Sequence, residues 1–166
     1  MMEKRYVFID SQNLHWGIKT LGWTLDYKRF FVYLQDKYKV EKVFLFVGFI
    51  EENKNLYRFL KQVGYIIIFK PTIKDHNGKV KGNVDAELVL QALHELSEYD
   101  EAIIISGDGD FHCLLKYLIE RNKLCCVLIP NKRYCSRLIY KVVPNSKFFQ
   151  HLEYFQAKLE YKKTPT

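Results

Sequence analysis

A chain of 166 residues with 48% hydrophobic and 16% aromatic content is long enough for one well-packed domain and too apolar to be disordered. Its longest apolar runs, residues 43–49 and 65–69, fall far short of a membrane span, and no signal-peptide core follows Met1, so a cytoplasmic protein with no membrane partner is expected. The net charge of +7, from 26 basic and 19 acidic residues, suits a polyanionic partner as well as it suits a merely soluble surface.

Residues 5–9 read as a strand that ends on Asp10. Asp26 is placed to cap a helix in which Tyr27, Phe30, Phe31, Leu34 and Tyr38 recur on one face. Residues 43–49 form a second strand, and 51–63 a helix with Leu56, Phe59, Leu60 and Val63 inward, stopped by Gly64. Residues 65–69 are a third strand. The stretch 70–83 carries Pro71, Asn77-Gly78 and several lysines, and reads as irregular. Residues 84–96 make a helix apolar enough to be buried on more than one side. A fourth strand at 102–105, a helix at 111–120, a fifth strand at 124–129 and helices at 135–142 and 147–160 complete the chain. Repeated strand–helix units predict a three-layer α/β/α sandwich around a mainly parallel sheet of about five strands. Residues 1–160 form a single domain in this reading, and 161–166 a frayed tail.

Acidic residues stand where these strands end. Asp10 closes the first strand, with Asn13 three residues on. Ser106-Gly107-Asp108-Gly109-Asp110 follows the fourth, and Asp85 stands where a helix begins. In a parallel sheet the carboxyl ends of the strands line one crevice, and carboxylates gathered there call for a hard cation such as Mg²⁺ or Mn²⁺. Asp10 could instead cap the helix after it, and Asp110 the helix that starts at Phe111. His112 beside the acidic turn is expected to be an ordinary half-exposed histidine.

Several alternatives fail on spacing. The run from Gly107 lacks the last glycine of a dinucleotide fingerprint and would set two carboxylates against the pyrophosphate. There is no phosphate-binding loop of the Walker type. The four cysteines have no Cys-x-x-Cys spacing, so reduced, mostly buried thiols are expected rather than zinc ligands. Adjacent Cys125 and Cys126 would face opposite sides of the fifth strand. Basic residues gather at Lys70, Lys74, Lys79 and Lys81 and again at Lys132, Arg133, Arg137 and Lys141, with Ser136 placed to help hold a phosphate. Tyr134, Tyr140, Trp16 and Trp23 lie among or near these groups. They could stack on unpaired bases, pack in the core or meet a partner copy.

Taken together, Val7-Phe8-Ile9-Asp10-Ser11-Gln12-Asn13-Leu14, Lys81-Gly82-Asn83-Val84-Asp85 and Ile105-Ser106-Gly107-Asp108-Gly109-Asp110-Phe111 resemble the NYN domain family, a branch of the PIN-like nucleases. Ser136-Arg137-Leu138 extends the likeness into the late helix. The resemblance implies a PIN-like fold and a metal-dependent ribonuclease. It implicates Asp10, Asn13, Asp85, Asp108 and Asp110, with Ser106 in support, in an in-line hydrolysis that leaves a 5′-phosphate. Mg²⁺ or Mn²⁺ would be held by Asp10, Asp85, Asp108 and Asp110, and RNA would be guided by Lys79, Lys81, Lys132, Arg133, Ser136 and Arg137. Where relatives with this pattern carry an acid six residues after the Lys-Gly-linked aspartate, this chain has Gln91. That difference keeps open an RNA-binding or regulatory module with a weakened site, besides a nucleotide phosphatase. The aromatic surplus allows a homodimer.

Overall fold

A computed structural model describes residues 3–74, 76–77, 80–81 and 84–163, with Lys74, Val80 and Lys81 described by their backbone alone. Strands and helices alternate as β1 (Arg5–Asp10), α1 (Ser11–Lys19), α2 (Tyr27–Tyr38), β2 (Val40–Gly48), α3 (Lys54–Val63) and β3 (Ile66–Lys70). A short ribbon of β4 (Ile73–Lys74) and β5 (Val80–Lys81) leads into α4 (Asp85–His94), β6 (Glu101–Ile105), α5 (His112–Glu120) and β7 (Leu124–Ile129). The chain ends with α6 (Arg137–Val142), β8 (Phe149–His151) and α7 (Gln156–Leu159).

The main sheet has six strands in the order β3-β2-β1-β6-β7-β8, and every pairing in it is parallel. The chain winds outward from β1 to β3, then restarts at β6 and winds the other way. Such a reversal opens a crevice at the carboxyl ends of the two central strands, here β1 and β6. Alternation along the strands divides the core. Val7, Ile9, Val43, Leu45, Ile103 and Ile105 pack under α1, α2 and α3, while Tyr6, Phe8, Phe44, Phe46 and Ile104 pack under α4, α5 and α6.

The helix expected at 26–38 forms with Asp26 as its cap, the carboxylate accepting the Arg29 N–H at 3.0 Å. Gly64 ends α3 at φ 126°, a conformation that glycine takes without strain.

Other expectations change. Residues 147–160 are not one helix. Phe149 to His151 pair with Val127 to Ile129 as a sixth strand, because the open edge of β7 offers backbone partners that a local pattern cannot reveal. The inward face of α3 is Tyr57 and Leu60, with Leu56 and Phe59 in solvent. Tyr57 reaches the end of β2, where its hydroxyl accepts the Ile50 N–H at 3.0 Å, and this rotates the helix away from the apolar stripe. Helix α4 buries one side only, through Leu88 and Ala92, and leaves Leu90 70% exposed.

Cys125 and Cys126 do not face opposite sides. A bulge opposite Ala102 and Ile103 breaks the alternation, and both pack toward the α2 side. The cysteines are free, and only Cys126 is fully buried, while Cys113 is exposed. Among the described residues no helix is long and apolar enough to cross a membrane.

Candidate metal centre

Asp10 is the last residue of β1 and is almost wholly buried, at 5% exposure. One of its oxygens accepts the Asn13 N–H at 3.2 Å and so caps α1, while the other accepts the Ser106 hydroxyl at 3.2 Å. Capping and crevice-lining are therefore combined in one side chain. Ser106, also buried, accepts the Asp108 N–H at 3.1 Å. Asn13 reaches across the crevice, and its side-chain oxygen accepts the Gly107 N–H at 2.9 Å. These bonds tie the end of β1 to the turn after β6 and leave little freedom to either.

The turn brings Asp108 toward Asp10, and the first residue of α4 supplies Asp85 from the facing side of the crevice. One carboxylate oxygen from each of Asp10, Asp85 and Asp108 lies within 4.8 Å of the others. Three carboxylate oxygens at this spacing form a donor set that could hold a divalent cation. The carboxyl of Asp10 is pushed up to about 6, first by burial and then by the neighbouring charges of Asp85 and Asp108, against the opposing bonds from Asn13 and Ser106. A group so placed is relieved when a cation neutralises its neighbours.

Asp110 is exposed and stands outside this group. Nor does it cap the following helix, since Phe111 holds the cap position of α5 with no side-chain bond. Asp108 caps the 3-10 turn Gly109–Phe111, its carboxylate accepting the Asp110 N–H at 3.0 Å. His112 is held by a bond between Nδ1 and the Gly109 carbonyl at 2.9 Å. Gln91 points along α4 to Glu95, its amide 3.0 Å from that carboxylate, and Glu95 pairs with Lys42.

Of the basic residues, Lys132 and Arg133 lie exposed on the 3-10 turn Lys132–Tyr134 after β7, and Arg137 is exposed at the start of α6. Ser136 caps α6, accepting the Leu138 N–H at 3.2 Å, and its own N–H donates to the Gly107 carbonyl at 2.9 Å. A Cβ on Gly109 would come within 2.5 Å of the Ser136 hydroxyl oxygen, so that glycine permits a close approach of α6 to the acidic turn. Lys79 lies outside the described residues, and Lys81 is placed only as a β5 residue paired with Ile73.

Two features escape sequence reasoning. Buried Asn131 donates to the Gly17 carbonyl at 3.3 Å and to the Thr20 hydroxyl at 3.0 Å, pinning the segment after β7 to α1. Its only local signal is an amide immediately after a strand and a proline. A cleft of about 390 Å³ also opens between α1 and α3, lined by Ser11, Gln12 and His15 on one side and Asn53 and Tyr57 on the other. Its lining comes from four separate stretches, around residues 11–15, 27, 45–60 and 72, which no sequence window joins.

The NYN domain family model matches residues 4–142. The chain is 27% identical over 122 residues to the low amplitude and bright protein LabA of Synechococcus elongatus. That match covers 68% of this chain and 66% of the relative, just under two thirds of its length. The crystal structure of a protein of unknown function from Vibrio parahaemolyticus superposes with a TM-score of 0.72 at 24% identity, covering 90% of this chain and 93% of the other. That likeness establishes the shared fold.

Proposed function

Because this chain belongs to the NYN domain family of PIN-like nucleases, we propose that it is a metal-dependent ribonuclease acting through Asp10, Asp85 and Asp108. The observation that carries the reading is the meeting of three carboxylate oxygens within 4.8 Å at the point where the sheet reverses its winding. When bound there, Mg²⁺ or Mn²⁺ supplies polarisation of a phosphoryl oxygen and a water made acidic enough to attack at neutral pH.

The chain's own residues hold that chemistry in place. Ser106 and Asn13 fix the direction of the Asp10 carboxylate and the path of the acidic turn, through the Ser106–Asp10 and Asn13–Gly107 bonds. Burial keeps bulk water from screening the Asp10 carboxylate. Asp110, exposed at the rim, is a supporting group able to orient water at the entrance. Lys132, Arg133 and Arg137 present cations to an RNA backbone from the side of β7. Ser136 acts chiefly by holding α6 against the turn.

The purified protein is expected to cleave RNA with Mn²⁺ or Mg²⁺ and not in EDTA, and Asp10→Asn and Asp108→Asn are each expected to reduce the rate at least 100-fold, the order of loss seen when electrostatic stabilisation is removed. Undiminished activity in both variants would remove these carboxylates from the reaction. Gln91 supports a second reading, an RNA-binding module with a weakened site, since its amide is engaged with Glu95 and adds no charge to the crevice. Salt-sensitive RNA binding without cleavage at any metal concentration would favour it.

A further inference from the structure

Trp16 and Tyr134 are each 50% exposed, yet their rings meet edge to face with centroids 4.8 Å apart. What distinguishes them from the singly exposed Tyr154 and Tyr161 is that the two open rings touch and so form one apolar patch. The other tryptophan, Trp23, is buried at 5%. The guanidinium of Arg133 stands 5.8 Å from the Tyr134 ring, with Lys132 beside it on the same turn. Edge-to-face packing, with the ring planes inclined at 64°, leaves ring faces open on both residues, and positive charge borders them.

The position of this pair is fixed relative to the acids. Trp16 lies three residues after Asn13 on α1, hence about 5 Å further along the axis. Asn13 is the residue that holds the Gly107 N–H of the acidic turn. Tyr134 lies two residues before Ser136, whose N–H is bound to the Gly107 carbonyl, and Asn131 fastens the start of the same segment to Gly17 and Thr20. Both rings are thus anchored on each side to the elements that carry the carboxylates.

We propose that Trp16 and Tyr134 form a stacking platform for an unpaired base of single-stranded RNA, beside the phosphate that lies over the acidic crevice. The inference rests on the nuclease reading for its substrate and adds how that substrate is chosen. A base within a duplex is already stacked on both faces and has none to offer, whereas a single strand can turn one base onto the rings. Lys132 and Arg133 then meet the phosphates that flank it, which accounts for their place next to exposed aromatics. The platform selects unpaired RNA and leaves base identity open, because every base has a π-face.

The test uses the whole chain in EDTA, so that binding is read without cleavage. A single-stranded oligoadenylate of about ten nucleotides, a site size typical of stacking proteins, is expected to quench the fluorescence of Trp16. Trp23, being buried, keeps its emission and reports that the fold is intact. An RNA duplex of equal length is expected to quench little. Trp16→Ala and Tyr134→Ala are each expected to weaken binding of the single strand roughly 5- to 100-fold, the span of one lost base–ring stack. Trp16→Phe, which keeps a ring, is expected to restore most of the affinity while abolishing the quenching. Equal quenching by duplex, unchanged affinity in both alanine variants, or quenching by single-stranded DNA but not RNA would each overturn the platform. Quenching with no cleavage under Mn²⁺ would leave the platform standing and defeat the nuclease reading. Cleavage with Trp16→Ala and Tyr134→Ala binding normally would do the reverse.

Discussion

Asp10 shows how a single side chain can serve the fold and burden it. Its carboxyl is raised to about 6, above the ordinary value near 3.9, so between pH 4 and 6 the folded state holds more protons than the unfolded one. Metal-free stability should therefore fall as pH rises through that window and level off above it. Asp10→Asn keeps an oxygen for the Asn13 N–H and removes the charge. In EDTA the variant is expected to exceed the natural protein by on the order of 1–3 kcal/mol at pH 7.5 and to match it near pH 4. Urea titrations at both pH values read this directly, and equal stability at pH 7.5 would contradict the charge crowding. Asn13 makes the opposite case. Asn13→Ala strands the Gly107 N–H without its acceptor and should cost about 1–3 kcal/mol in the same titration, with cleavage falling as the acidic turn loosens.

At the scale of elements, the site depends on close approaches between pieces far apart in sequence. A Cβ on Gly17 would stand 2.7 Å from the Pro130 Cβ, so α1 and the end of β7 touch where only hydrogen fits. Gly17→Ala should make α1 and the Pro130–Asn131 segment separate, at a cost of about 1–3 kcal/mol despite alanine's better helix propensity. Thermal melts would measure it. A neutral or stabilising result would show that the two elements yield freely. These contacts also explain what was hard to read locally. The buried face of α3 departs from the apolar stripe of Leu56 and Phe59 because a hydrogen bond draws Tyr57 to the β2 end. The pairing of Phe149 to His151 likewise depends on β7 being next to them, and the short run has no strand signature of its own. A long, strongly periodic element such as α2 was legible because its cap and its apolar period agreed.

For the molecule as a whole, the reversal of winding between β1 and β6 turns scattered acids into one centre. A cation bound there stabilises the folded chain alone, since the unfolded chain holds no such cluster. Mn²⁺ at about a hundred times its dissociation constant should raise the melting temperature by roughly 5–10 °C, and Asp108→Asn should abolish most of that rise. Calorimetry with and without EDTA decides it. An unchanged melting temperature in the natural protein would mean that the carboxylates do not hold the ion. The net charge of +7, with three acids drawn into the crevice, leaves the remaining surface more basic still and suited to a polyanion.

The sequence by itself determined the alternation of strands and helices, the parallel sheet and the positions of Asp10, Ser106 and Asp108 at strand ends. Those features follow from local periodicity and from where apolar runs stop. Tertiary structure alone decided that Asp110 stays outside the group of Asp10, Asp85 and Asp108, and that Trp16 meets Tyr134. Such meetings depend on which loops the sheet order brings together and on how far each helix rotates over its strand. Both are set by packing between distant segments, and a linear pattern carries no record of them.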